Sequence, residues 1–448
     1  MKNRSFNVFI KDKISPFNKT IKVDADKSLS IRSFLIGSIS NNISRVNNVL
    51  ESEDVYSAID VCRKLGVKIV KVGPSSYKIF GKGLGSLAIK KNANLYFGNS
   101  GTLARLLIGI LSTTPNINVK VNGDHSLNKR NMKKLIDLVS NFGAFLLPKK
   151  KYKFPLKLIS SDMPIGIKYK AGVSAQLKSA AILAGLNSNG ITLIEEQISS
   201  RDHTENLLKK NKHVIKIRKN KNKIISIYGK KYLKPFYLNV GGDPSSAAFF
   251  TALTLLNENS SIKIKNVNLN KTRIGFYEIL KKQKAKIKFS NLKKDNNEIK
   301  GDIVVKNCKL KPLNTPTSFY PKTTDEYLIL FVIAALTKGI STFRGIGDLS
   351  NKESSRAHEM KKILNQIGIK CKLDKNKMKI YGKGKIDASS KRIKVGNLGD
   401  HRVAMCAFIL AILTKAKTNI KNFETVFTSS PSFLKTMKLL GAKFEIQK

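Results

Sequence analysis

The chain is short of acid: 30 aspartates and glutamates stand against 83 lysines and arginines, a formal net charge of +53 at pH 7. It has four cysteines, Cys62, Cys308, Cys371 and Cys406, none in a C-x-x-C pair. That argues against a zinc site and a disulfide framework and suits a reducing compartment. No apolar run is long enough to cross a bilayer; the run from Tyr327 to Leu336 reads as a buried helix. The N-terminus is basic but lacks an apolar h-region, and the alternation of Phe6, Val8 and Ile10 predicts a first strand in place of a targeting segment. A cytoplasmic protein with no membrane segment is therefore expected. No G-x-G-x-x-G follows a strand pattern, which counts against a dinucleotide-binding sheet.

The basic excess is spread over the whole chain, mostly as Lys beside Asn, as in the stretch 209–223, and is not gathered in one domain or arm. It reads as a solvated, soluble surface, and nucleic acid is not expected as a partner. A length of 448 residues with 41% apolar content is enough for two or three domains with substantial cores.

What is present is a repeat. Polar clusters stand at Lys27-Ser28, Gly98-Asn99, Ser174-Ala175-Gln176, Asp243-Pro244-Ser245-Ser246, Thr324-Asp325-Glu326 and Gly399-Asp400-His401-Arg402, with a period of roughly 75 residues. After each comes a helix of small and apolar residues, then a strand pattern, then an amphipathic helix. The first helices, such as 174–186 and 243–256, are apolar around most of their circumference and should be buried. The second helices, such as 54–65, 132–139, 354–367 and 433–440, carry one apolar stripe and should form an outer layer. Each cluster sits at a helix N-terminus, where free N–H groups and the positive dipole end favour anions. Six such units divide most naturally into two groups of three with the ligand between them.

The clusters also have specific content. D-K-S-L-S-I-R from Asp26, G-N-S-G-T-L-A-R from Gly98, S-A-Q-L-K-S from Ser174, S-R-D-H-T-E from Ser200, G-D-P-S-S-A-A from Gly242, T-D-E from Thr324, N-K-E-S-S-R from Asn351 and D-H-R-V-A-M from Asp400 occur in this order. Together they resemble the 3-phosphoshikimate 1-carboxyvinyltransferase (enolpyruvyl-shikimate-phosphate synthase) family over nearly the whole chain. The resemblance implies an α/β fold: a two-domain inside-out α/β barrel of six βαβαββ repeats, three per domain, with helices buried and sheets outside. The first domain would comprise residues 1–25 and 243–448, the second residues 26–242, with the active site in the cleft between them. It implies transfer of the enolpyruvyl group of phosphoenolpyruvate to the 5-hydroxyl of shikimate 3-phosphate, with release of phosphate, in aromatic amino-acid biosynthesis. No metal, no cofactor and a monomeric state are expected, with these two substrates as partners.

The residue types suit that chemistry. Both substrates carry a carboxylate and a phosphate, so a closed site must neutralise several negative charges, and Arg forks and Lys point charges do so. Addition of the hydroxyl to C2 with protonation of C3, then elimination of phosphate, needs an acid and a base around one carbon and exclusion of water. By resemblance, Lys27 contacts phosphoenolpyruvate and helps phosphate leave, and it also touches shikimate 3-phosphate. Ser28 and Arg32 bind shikimate carboxylate and hydroxyls. Gly101 and Thr102 bring backbone to the phosphoenolpyruvate phosphate, and Arg130 binds the same substrate. Ser174, Ala175 and Gln176 cradle the shikimate phosphate, Gln176 also reaching the enolpyruvyl side, with Arg201 as a second phosphate ligand. Asp325 serves as base on the reacting hydroxyl, Lys352 binds substrate, and Glu353 is the acid–base partner near C3. Arg356 and Arg402 bind phosphoenolpyruvate. Sensitivity to glyphosate, which takes the phosphoenolpyruvate position beside Gly101, is implied as well.

Alone, several of these features read more plainly. Lys-Ser at a helix start is a cap and a solvated charge, K-E-x-x-R is a salt-bridged helix face, Arg105 is structural, and Glu326 is a helix-start charge favoured by the dipole. His401 either orients backbone or water or transfers protons. The chain departs from the family pattern at Asn131, where Pro is usual and the loop is expected to be less stiff. It departs again at Ser350 and Ser355, which stand for Arg and Asp and put the support of the nearby ligands in question. Two alternatives remain: the sister transferase acting on UDP-N-acetylglucosamine, which uses a loop cysteine that has no counterpart here, and a catalytically silent polyanion-binding protein on the same scaffold.

Overall fold

In the computed structural model, which describes residues 5–90, 93–219 and 221–447, the chain forms two compact units. The first contains Met1–Asp24, Gly241–Lys293 and Ile299–Lys448; the second contains Ala25–Val240 with Lys294–Glu298. Among the described residues there are six four-stranded sheets, and all share one strand order. A short edge strand lies parallel to the strand that follows an apolar helix, a third strand runs antiparallel to that one, and a fourth lies beside the third. The sequence has strands alternating in and out, as in Asn7–Ile10, where Val8 and Ile10 are buried.

Three strands complete sheets that lie far away in the chain. Tyr237–Asn239 pairs in parallel with Asn41–Asn47, Asn18–Lys22 pairs in parallel with Ser261–Asn268, and Asn7–Ile10 lies between Lys417–Ile420 and Glu445–Gln447. Each unit is therefore closed by pairing of distant segments. In the first unit the backbone at its two breaks is tied, because the Asp243 N–H donates to the Asp24 carbonyl at 2.8 Å. The Asp24 carboxylate in turn accepts from the N–H and hydroxyl of Ser432 and from the Ser430 hydroxyl.

The apolar helices Lys27–Ile39, Gly101–Ser112, Ala175–Gly185, Pro244–Leu256, Tyr327–Ala335 and His401–Thr414 are buried on nearly every side; every residue of the last two is buried. Such a helix cannot satisfy its end groups with water, so the polar residues ahead of it do so. Asp26, Ser100, Ser174, Asp243 and Asp400 each accept a hydrogen bond from an N–H of the first turn. The helix Tyr327–Ala335 differs. Glu326 occupies its cap position without a side-chain cap bond and is 1% exposed, its carboxylate accepting from the Ser245 hydroxyl. Arg273 then donates to Ser245 Oγ at 2.9 Å and to Asp243 Oδ1 at 3.0 Å. Glu326 stands at the helix start, as expected from the sequence, and is in addition part of a buried network with Ser245 and Arg273. The second helices Glu53–Lys64, Lys133–Ser140, Arg356–Gln366 and Phe433–Leu439 bury only part of their residues.

Sheet and buried helix meet closely at three glycines in equivalent places. A Cβ added to Gly81 would lie 2.0 Å from the Ser40 carbonyl oxygen, one on Gly229 1.8 Å from that of Ser188, and one on Gly382 2.0 Å from that of Thr337. The obstacle in each case is backbone at the end of a buried helix, which cannot swing aside. Gly382→Ala should therefore destabilise the protein by about 1–3 kcal/mol, the range for overpacking. Gly396→Ala, with nothing within 4 Å, should stay within about 0.5 kcal/mol. Urea unfolding of both variants checks this; equal midpoints would show that the helix end yields.

Candidate active site

In the second unit the expected ligands stand at the starts of its buried helices. Lys27 and Ser28 are the first two residues of Lys27–Ile39 and are half-buried. Lys27 Nζ lies 3.0 Å from Asp54 Oδ2, on the first turn of Glu53–Lys64, so the ammonium is held by a buried carboxylate and is not a free solvated charge. Arg32, one turn further, is 3% exposed. It donates to Thr204 Oγ1 at 2.9 Å, to the Ser28 carbonyl at 3.1 Å and to Ser179 Oγ at 3.2 Å, which fixes the backbone carrying Ser28.

A second group gathers around Gly101 and Thr102, which open the helix Gly101–Ser112. Arg105 Nη1 donates to the Gly101 carbonyl at 3.1 Å and to Gln176 Oε1 at 2.8 Å, and Gln176 Nε2 donates to Thr102 Oγ1 at 2.9 Å. The structural role expected for Arg105 thus takes a definite form: it orients Gln176. Arg130 follows the short helix His125–Lys129 and donates to Asn99 Oδ1. A Cβ on Gly101 would stand 2.7 Å from Arg105 Nη1 and 2.8 Å from Arg130 Nη1, so both guanidinium groups press against this glycine. Asn131, read as a loosening substitution, accepts from the Lys133 N–H at 2.8 Å and supplies a turn of its own. Ser174 Oγ accepts from the Leu177 N–H at 3.4 Å, leaving its hydroxyl proton available beside Ala175. Arg201 is half-buried, two residues before the helix His203–Leu208.

In the first unit one guanidinium organises the rest. Arg356, the first residue of Arg356–Gln366, is 1% exposed and meets three carboxylates: Asp400 at 2.9 Å, Glu353 at 2.6 Å and Asp325 at 3.6 Å. Burial disfavours its charge, but Asp400, Glu353 and Asp325 outweigh this and hold its pKa above the ordinary arginine value. Arg402, the second residue of His401–Thr414, approaches the same Asp325 oxygen at 3.5 Å. Asp325 and Glu353 keep 21% and 18% of their side chains exposed, whereas Asp400 has none. The first two can meet a ligand; the third is support. Lys352 Nζ lies 2.6 Å from Asp348 Oδ2, which also accepts from Tyr320 at 3.1 Å. Burial, then Asp348, pushes the Tyr320 pKa up, so its hydroxyl stays a donor. His401 is buried.

The supporting residues are the ones sequence reasoning missed. Ser355 makes no side-chain cap bond, and the Ser350 hydroxyl donates to the Gly347 carbonyl at 2.7 Å. The support in question at those positions comes from Asp400, which takes Arg356 Nε and the Ser354 hydroxyl, and from Asp348. Asp400 and Asn99 lay inside motifs already noticed; Asp54 carried no local signal.

The comparisons with known proteins agree with one class. The enolpyruvyl transferase NikO from Streptomyces tendae superposes with a TM-score of 0.75 over 99% of this chain and 98% of that one, at 11% identity, a likeness of fold. The EPSP synthase of Acinetobacter baumannii superposes at 0.85 with 32% identity, over 99% of this chain and 100% of that one. Among curated relatives, the 3-phosphoshikimate 1-carboxyvinyltransferase of Zymomonas mobilis is 35% identical over 97% of this chain and 96% of its own length. That of Paramagnetospirillum magneticum is 34% identical over 96% of each. Residues 11–437 match the family model for EPSP synthase (3-phosphoshikimate 1-carboxyvinyltransferase). The chain belongs to the EPSP synthase family, and its activity is the enolpyruvyl transfer of the shikimate pathway.

Asp400→Asn separates the two tasks of that residue, because an amide oxygen still caps the helix but no longer neutralises Arg356. Breaking one side of a buried ion cluster should cost about 3 kcal/mol, read as a lowered urea midpoint. A loss confined to about 0.5 kcal/mol would mean that Glu353 and Asp325 suffice for Arg356.

Proposed function

We propose that the reaction is addition of the 5-hydroxyl of shikimate 3-phosphate to C2 of phosphoenolpyruvate followed by elimination of phosphate, and that the residue sets of both units serve one pair of substrates. The observation that carries the residue roles is the pair Asp325 and Glu353 on one buried guanidinium, each with part of its side chain exposed. Asp325 takes the hydroxyl proton as the C–O bond forms, and Glu353 delivers a proton to C3, giving a tetrahedral ketal phosphate. Glu353 then removes a proton from the new methyl group while phosphate leaves, assisted by Lys27. The 3.6 Å contact between Arg356 and Asp325 is the longest of the three, and the one a substrate carboxylate would displace. Losing that cation would make Asp325 a stronger base when substrate is present.

The other roles follow the charges. Arg130, Arg356 and Arg402 take the anionic groups of phosphoenolpyruvate, with the backbone at Gly101 and Thr102 at its phosphate. Ser174, Ala175, Gln176 and Arg201 take the shikimate phosphate; Ser28, held by Arg32, takes the carboxylate side, and Lys352 a further contact. The fold reading that accompanies these roles is the inside-out barrel: six βαβαββ repeats, three in each unit, helices within and sheets outside. The protein is read as a cytoplasmic monomer that needs no metal; among the described residues no helix is long and apolar enough to cross a membrane.

Phosphate release should require phosphoenolpyruvate and shikimate 3-phosphate together and survive exhaustive chelation. Turnover with phosphoenolpyruvate only when UDP-N-acetylglucosamine replaces shikimate 3-phosphate, or dependence on a restored divalent ion, would contradict it. Glu353→Gln and Asp325→Asn should each lower kcat by roughly a hundredfold or more, the scale of a lost acid–base group, with KM little changed. A variant with near-normal turnover would remove that residue from the chemistry.

Gly101→Ala tests the phosphoenolpyruvate side. The added methyl must displace the ends of Arg105 and Arg130, and glyphosate, longer than the substrate, has less room for that shift. Inhibition by glyphosate should weaken far more than KM for phosphoenolpyruvate rises. Equal losses for both ligands would place Gly101 away from the site.

A further inference from the structure

The turn that carries Arg201 is anchored by a buried group of four charges that the reaction above does not use. Lys178, one turn into the helix Ala175–Gly185, has its Nζ 2.7 Å from Glu196 Oε1 and 2.8 Å from Glu205 Oε1, and none of the three side chains is exposed. Lys223 closes the ring at 3.0 Å from Glu196 Oε2 and 3.1 Å from Glu205 Oε1, with its side chain 17% exposed. It stands at one end of the basic stretch read from the sequence as solvated surface, yet it is drawn inward because Glu196 is its partner across the sheet. Two cations and two anions leave the group neutral, which a buried cluster requires.

Glu196 has a further task. Its Oε1 accepts from the backbone N–H of Ser200 at 2.8 Å and from the Ser200 hydroxyl at 2.7 Å, while Lys178 Nζ donates to the Ser200 carbonyl at 3.4 Å. Burial works against ionisation of Glu196, but Lys178, then Lys223, hold its pKa below the usual carboxylate value, so Ser200 is gripped by a charged acceptor. Ser200 is 1% exposed, and all of its polar groups end on this cluster. On one side, then, the cluster holds the residue before Arg201. On the other it holds Lys178, whose N–H donates to the Ser174 carbonyl at 3.1 Å, on the helix that presents Ser174, Ala175 and Gln176.

We infer that Glu196, together with Lys178, is a positioning residue for shikimate 3-phosphate, fixing Arg201 relative to the helix start at Ser174 so that both reach one phosphate. The inference rests on the reading of Arg201 as a ligand of that phosphate. A merely structural cluster would change stability and all kinetic parameters together. A positioning cluster changes KM for one substrate, and does so only through Arg201.

The test measures kcat and both KM values for Glu196→Gln, Ser200→Ala, Arg201→Ala and the double variant Glu196→Gln/Arg201→Ala. Glu196→Gln should raise KM for shikimate 3-phosphate about tenfold, with kcat and KM for phosphoenolpyruvate within about twofold. Ser200→Ala should move the same constant in the same direction by less. The double variant should match Arg201→Ala, because a residue acting through Arg201 has nothing left to position. Additive effects, or a rise in both KM values, would overturn the inference. An unchanged KM for shikimate 3-phosphate in Arg201→Ala would instead remove the phosphate reading beneath it. Should Glu196→Gln fail to fold, Ser200→Ala, which retains all four charges, decides the matter alone and in combination with Arg201→Ala by the same criteria.

Discussion

A helix buried on every side has polar groups to offer only at its ends, and that constraint shapes both the architecture and the site. The apolar helices of this chain need capping residues at their N-termini, and five of them use an Asp or Ser whose side chain receives a first-turn N–H. The residues next to those caps are the proposed ligands: Lys27 and Ser28 after Asp26, Gly101 and Thr102 after Ser100, Ala175 and Gln176 after Ser174, Arg402 after Asp400. On the proposed roles, the positions that cap the buried helices also adjoin those that take the substrate anions. The close approach of sheet glycines to the far ends of these helices is the same constraint seen from the other terminus.

Scarcity of acid makes each buried carboxylate informative. With 83 basic residues against 30 acidic ones, a carboxylate beside a site cation is a specific arrangement. Asp54 holds Lys27, Asp400 holds Arg356, and Glu196 with Glu205 holds Lys178 and Lys223, while the partly exposed Asp348 holds Lys352. Each fixes the place of a flexible cation before any substrate arrives, which reduces the ordering cost of binding a polyanion. Surface lysines pair as well, Lys133 with Asp137 and Lys362 with Glu359, but these cations stay about half exposed and water screens the pairs.

Much of this was legible in the sequence, for identifiable reasons. Helices rich in small and apolar residues all round, such as Pro244–Leu256 and His401–Thr414, announce themselves, as do strands alternating like Asn7–Ile10. The proposed ligands stood in short motifs beside helix starts. What escaped were pairings across the chain. Nothing local says that Asp54 reaches Lys27, that Glu326 turns inward to Ser245, or that Tyr237–Asn239 completes a sheet with Asn41–Asn47. At the two departures from the family pattern, Asn131 accepts from the Lys133 N–H, and Arg356, next to Ser355, is held by Asp400, contacts that no local pattern gives.

On the proposed roles, residues beside the buried helix starts receive the substrate anions. A crystal structure of the protein with shikimate 3-phosphate bound tests it most directly. Phosphate oxygens should lie within hydrogen-bond distance of Ser174, the Ala175 N–H and Arg201, with the carboxylate at Ser28. Phosphate bound elsewhere on this basic surface, with Ser174 and Arg201 untouched, would contradict it.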